Sequence, residues 1–225
     1  MPRIRHRRQV VPGRARSQSL DWTPARPAPA PQIPVPAPPL AADPITGPAV
    51  ASAPDSESGR VAAARLAEQE GHPNEAVALL DDGIRSAPDS VALLVLRGSL
   101  LGRQRRLSEA EADLRRALRL EPSHRQALLD LGLTLWRRGL AVEAAHTLDR
   151  AAAHQPQNPV AFNYLAEALH QTGQPEDAVV ALERSLALDP EQPRAYHLMG
   201  RVLDRLHRPD EALLAYRRGQ ELSRQ

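Results

Sequence analysis

Four prolines set the first constraint on this chain. Pro88, Pro122, Pro156 and Pro190 stand 34 residues apart, inside the stretches "DDGIRSAPDS", "RRALRLEPSH", "RAAAHQPQN" and "RSLALDPEQ". A helix breaker that returns at a fixed interval describes tandem copies of one unit rather than a single folded core. Aligned on the prolines, the units begin at Glu57, Val91, Arg125, Pro159 and Pro193. Their eighth position is small every time: Ala64, Gly98, Gly132, Ala166, Gly200. Alanine recurs at Ala76, Ala110, Ala144, Ala178 and Ala212, followed four residues later by Leu80, Leu114, Leu148, Leu182 and Tyr216. Three further on the chain is small again, at Gly83, Ala117, Ala151, Ser185 and Gly219. Spacings of four and three place these residues on one helical face. The small ones allow close backbone approach, and the large ones fill the space beside them.

The punctuation divides each unit into two helices. Gly71, Gly139 and Gly173 stand where a first helix stops, because glycine accepts the left-handed conformation that closes it. Pro73, Pro175 and Pro209 follow at the first turn of a second helix, where the missing N–H costs little. Glu75, Glu109, Glu143, Asp177 and Glu211 lie near those starts and complement the helix dipole. Neither helix pair can bury its own apolar face alone, so stacking supplies the core.

These features resemble the tetratricopeptide repeat family, whose unit is a 34-residue helix–turn–helix with a W-x₂-L-G-x₂-Y…A-x₃-F…P pattern. The match runs through "LLDLGLTL…EAAHTL…P" and "FNYLAEAL…DAVVAL…P" and covers five copies, 57–90, 91–124, 125–158, 159–192 and 193–225. Departures exist. Arg60 replaces the first-helix aromatic in the first copy, and Arg105 and His207 replace the turn glycine. The resemblance implies an all-α, right-handed α-solenoid with a concave groove lined by the first helix of each pair.

The groove is then expected to bind a segment of another protein. In the family, positions 2, 5, 9, 12 and 13 of each unit point inward. On this chain that implies Val95, Leu129, Leu133 and Trp136 in the middle copies. The fourth and fifth copies contribute Asn163, Glu167, His170, Arg194, His197, Arg201, Asp204 and Arg205. An apolar end followed by a cationic one suits an extended or helical peptide with an acidic or carboxylate terminus. Two ligand modes of the family are not supported. Position 6 reads Ala62, Leu96, Asp130, Tyr164 and Leu198, whereas the chaperone-tail clamp and the asparagine ladder both use asparagine there.

Residues 1–56 carry different physics. They hold 13 of the 22 prolines, and "PARPAPAPQIPVPAPP" alternates proline with small residues. Such a segment buries too little apolar surface to offset its conformational entropy, so a disordered, semi-stiff tether is expected. Pro31-x-x-Pro34 and Pro36-x-x-Pro39 fit a loose docking pattern without a properly spaced arginine. Charge is split: seven arginines against three aspartates give this head +4, while 22 arginines against 24 acids give the remainder −2. Six arginines lie within the first 16 residues, where an arginine cluster attracts nucleic acid or an anionic membrane face.

Composition excludes several chemistries. With no cysteine there is no disulfide, thiolate zinc site or cysteine nucleophile. All 29 basic residues are arginine, as a GC-rich bacterial genome favours, so lysine chemistry is absent too. Eight histidines show no His-x₃-His pair, and no phosphate loop or Ser-His-Asp set is present. No run of about 18 apolar residues marks a membrane span, and no apolar stretch follows the basic start as a secretory signal requires. The expectation is a cytoplasmic interaction scaffold without cofactor, metal or catalysis. The alternative is an adaptor tethered to nucleic acid or membrane through its head. The chain stops at "YRRGQELSRQ", which leaves Leu213, Leu214 and Tyr216 partly uncovered and predicts self-association through the last copy.

Overall fold

The computed structural model describes residues 56–224. The proline-rich head, its docking motifs and its arginine cluster lie outside the described residues. Among the described residues there are ten helices and no strand. The first helices are α1 (Glu57–Gln69), α3 (Val91–Arg103), α5 (Arg125–Arg137), α7 (Pro159–Gln171) and α9 (Pro193–Arg205). The second helices are α2 (Pro73–Ser86), α4 (Leu107–Leu120), α6 (Ala141–His154), α8 (Pro175–Leu188) and α10 (Pro209–Leu222).

Each junction has a local cause. Ser56, Ser90, His124 and Asn158 cap α1, α3, α5 and α7, each side chain accepting a hydrogen bond from a backbone N–H of the first turn. Pro88, Pro122 and Pro156 occupy the second position of turns closed by the Ser90, His124 and Asn158 N–H donating to the carbonyls of Ala87, Glu121 and Gln155. The fourth turn closes differently: Gln192 Nε2 donates to the Asp189 carbonyl at 2.9 Å, so a side chain replaces the backbone donor. Between paired helices the chain turns through positive φ at Gly71, Gly139 and Gly173, and also at Arg105 (64°) and His207 (57°).

An arginine fastens most of the proline turns to the next repeat. Arg116 donates to Asp89 Oδ1 at 3.1 Å and Arg150 to the Pro122 carbonyl at 2.8 Å, each from the repeat that follows. Arg184 reaches the Pro156 carbonyl at 3.5 Å from the same position of its repeat.

The core is the stacked series itself. Ala76, Ala110, Ala144 and Ala178 are fully buried, as are Leu80, Leu114, Leu148 and Leu182. Close approach is tightest at the eighth positions. A Cβ on Gly98 would lie 2.7 Å from Leu114 Cγ, on Gly132 2.5 Å from Leu148 Cγ, and on Gly200 2.5 Å from Tyr216 Cε1. One polar insertion interrupts this packing. Arg97 of α3 donates to both oxygens of Asp113 on α4 at 2.7 Å and to Asp81 on α2 at 2.5 Å. Its hydrogen bonds to these carboxylates outweigh burial and raise its pKa above the ordinary arginine value.

The second helices α2, α4, α6 and α8 each pack on the first helix of the next repeat, and successive first helices also touch. Among the described residues, the backbones of successive second helices stay apart, although Arg115 of α4 donates to Glu143 of α6 at 2.5 Å. The first helices therefore form the tighter, inner side of the stack, and the second helices the wider, outer side. This is the arrangement of an α-solenoid.

Candidate functional site

Among the described residues, three depressions on the inner side border the expected groove residues. The first, about 470 Å³, lies between α1 and α3 and is bordered by Val61, Arg65, Glu68, Ala92, Val95, Ser99 and Arg103. The second, about 230 Å³, lies between α3 and α5 around Ser99, Arg103, Gln126, Asp130, Leu133 and Arg137. The third, about 580 Å³, is bordered by Trp136, Asn163, Tyr164, Glu167, Gln192 and Arg194. Shared residues, Ser99 and Arg103, join the first two.

Trp136 and Tyr164 meet edge to face, with ring centroids 5.1 Å apart and planes at 71°. The Trp136 indole Nε1–H is buried and has no acceptor. Asn163 Nδ2 donates to Gln192 Oε1 at 3.1 Å, and Gln192 Nε2 in turn donates to the Ser185 hydroxyl at 3.2 Å. This network fixes the wall between α7 and α9.

Asp130 is the ionisable group of the middle depression. Its Oδ1 accepts from Gln126 Nε2 at 3.0 Å, while Oδ2 is buried without a donor. Burial raises the carboxyl above its ordinary value of 3.8, against the opposing pull of Gln126, Ser99, Arg103 and Arg137. His170 shows the converse. Burial and the nearby Arg201 and Arg205 lower it below 6.5, and its Nδ1 is buried without a partner. Arg205 Nη1 donates to the His170 carbonyl at 3.2 Å.

Trp136, Asn163, Glu167 and Arg194 thus come together around the third depression, Leu133 borders the second and Val95 the first. Leu129 is buried. Arg201 and Arg205 form a separate cationic cluster beside His170. His197 turns toward α10, its ring 6.3 Å from that of Tyr216 and filling the space beside Gly219. Residues off the inward positions that also line these depressions include Asp130, Tyr164 and Gln192, while Arg103 and Arg137 stand at inward position 13 without having been singled out. Tyr164 and Asp130 occupy position 6, so the 34-residue register contained the signal.

Among the described residues, no group of three or more acidic or histidine side chains could hold a metal ion. No helix there is long and apolar enough to cross a membrane.

Two family models, both described as tetratricopeptide repeat, match the chain. One covers residues 61–110 and 95–159, the other 135–202 and 169–225. No curated protein matches it in sequence. Among solved structures it is similar to MamA (41-end) from Desulfovibrio magneticus RS-1, at TM-score 0.70 and 22% identity over 75% of this chain and 95% of that one. Another MamA crystal structure gives TM-score 0.67 at 20% identity, covering 72% and 94%. YrrB, described as "a TPR protein with an unusual peptide-binding site", gives TM-score 0.67 at 17% identity, covering 75% and 87%. Identities this low speak for the fold alone.

Proposed function

The chain belongs to the tetratricopeptide repeat family, and from that premise we propose that residues 57–225 act as a protein-interaction scaffold. The groove along the first helices receives a peptide or helix of a partner protein. One observation carries this reading. The described residues whose buried side-chain polar atoms lack a partner are Asp130, Trp136 and His170. All three stand on groove-lining helices, α5 and α7. Native proteins leave few such groups unpaired, each at a cost of about 1–3 kcal/mol, and a ligand that pairs them recovers that cost. The peptide-binding site attributed to YrrB, which shares the fold, adds support.

Trp136 is the expected anchor, since a half-buried indole with a free N–H offers both apolar area and a donor. The cationic cluster of Arg201 and Arg205, with Arg194, suits an acidic or carboxylate end. Peptides selected from a random display library on the full chain test this. Trp136→Ala is expected to weaken them by about tenfold or more, equivalent to ~1.4 kcal/mol. Peptides that bind wild type and Trp136→Ala equally would remove the groove from the function.

The alternative places most of the affinity in the arginine-rich head. Binding would then fall steeply with salt and vanish without residues 1–56. A second reading, self-association through the C-terminal repeat, is favoured by the 50% exposure of Leu213 on α10.

A further inference from the structure

The 230 Å³ cavity between α3 and α5 has a wall of opposed charges. Arg103 is already paired with Glu68 of α1, which leaves Asp130 and Arg137 as the two charges without a full counterpart. Asp130 Oδ1 is engaged by Gln126, and Oδ2 is buried with no hydrogen bond formed, the Ser99 hydroxyl being the protein donor that stands near the carboxyl. Arg137 Nη1 donates to the Gly102 carbonyl at 3.1 Å, and a guanidinium carries five N–H groups, so donors remain beside the cavity. The site therefore presents a free acceptor and free donors together, with no net charge.

Resting on the groove reading above, we propose that this cavity receives the primary carboxamide of a glutamine or asparagine side chain on the bound partner. Its N–H donates to Asp130 Oδ2, and its carbonyl accepts from Arg137. A primary carboxamide carries donor and acceptor at one tip. A trans backbone peptide points its N–H and C=O in opposite directions and cannot serve both from within a cavity. An ammonium group satisfies Asp130 but is repelled by Arg137; a carboxylate meets the reverse. Sites built on buried polar groups discriminate strongly, because the wrong ligand leaves one of them unpaired.

The test uses the full chain, ¹⁵N-labelled, titrated with the N-acetyl, N-methylamide derivatives of glutamine, asparagine, glutamate and lysine. Glutamine or asparagine is expected to shift the amide signals of Ser99, Gly102, Gln126 and Thr134 saturably. Glutamate and lysine should bind about tenfold more weakly or worse. Asp130→Asn, of the same shape, replaces the acceptor with a donor beside Arg137 and should turn the preference toward glutamate. Equal shifts from all four probes, or none at these residues, overturn the assignment. If display peptides still depend on Trp136 in that event, the groove reading stands and only the carboxamide site falls; if they do not, both fall.

Discussion

Arg105 and His207 hold a backbone conformation that their own Cβ atoms oppose. Their φ values of 64° and 57° occupy the turn that Gly71, Gly139 and Gly173 make at 77–81°. An L-residue pays roughly 1–2 kcal/mol there, partly offset by the greater freedom of glycine in the unfolded chain. Arg105→Gly and His207→Gly are each expected to stabilise by about 1 kcal/mol, and the pair additively because the sites are distant. Urea midpoints at constant slope check this; an unchanged or lowered midpoint contradicts it. The residue scale also shows where sequence reading stops. The missing glycines were visible as departures from a pattern, and the structure adds the strained φ that follows. Asp130 was visible only as "not asparagine" at position 6, because its role depends on Gln126, Arg103 and Arg137 converging from two helices. Linear order does not display that convergence. The turn of His197 away from the groove, onto Tyr216, was hidden for the same reason: Gly219, 22 residues on, leaves the space it fills.

At the scale of helices, the period carried nearly all of the information. Small residues at the eighth position and large ones sixteen later pack each pair, and turn glycines and prolines mark the breaks. The arginines that reach back to the proline turns escaped notice, since charged side chains at the surface give no periodic apolar signal. Close approach does not cost the same everywhere. Ala64 and Ala166 show that an eighth-position alanine can face a leucine, so Gly98→Ala needs only the spacing already found in two other repeats. Gly200 faces a tyrosine whose ring cannot bend away, and whose hydroxyl is held by Asp204 Oδ2 at 2.8 Å. Gly200→Ala should therefore destabilise by about 2–3 kcal/mol, and Gly98→Ala by about 1 or less after the gain in helix propensity. Thermal and denaturant melts of the two variants decide it; equal losses would contradict this account of the helix pairs.

At the scale of the whole repeat array, the stack offers two unlike faces. Leu213 is 50% exposed on α10, whereas Val77, Ala145 and Val179, at the same register position of other second helices, are 5–9% exposed beneath the next repeat. Leu66 on α1 is 55% exposed, while Leu100, Ala168 and Val202, its register counterparts, are at most 1% exposed. One end thus presents what the other end is shaped to cover, which fits a head-to-tail contact between copies rather than a two-fold one. Leu213→Glu and Leu66→Glu should each abolish concentration-dependent mass in light scattering, and an equimolar mixture of the two should form a pair and grow no further. Self-association that survives in Leu66→Glu alone would mean tail-to-tail contact; a constant monomer mass for the unmodified chain would dismiss association altogether. A last consequence follows from the second helices, whose backbones meet the next repeat but not one another. Mechanically, the array is a leaf spring with all of its leaves clamped along one edge. The other edge can spread or gather by yielding little more than the exposed Arg115–Glu143 ion pair, so a partner of slightly different pitch is met by flexure, with every repeat still folded.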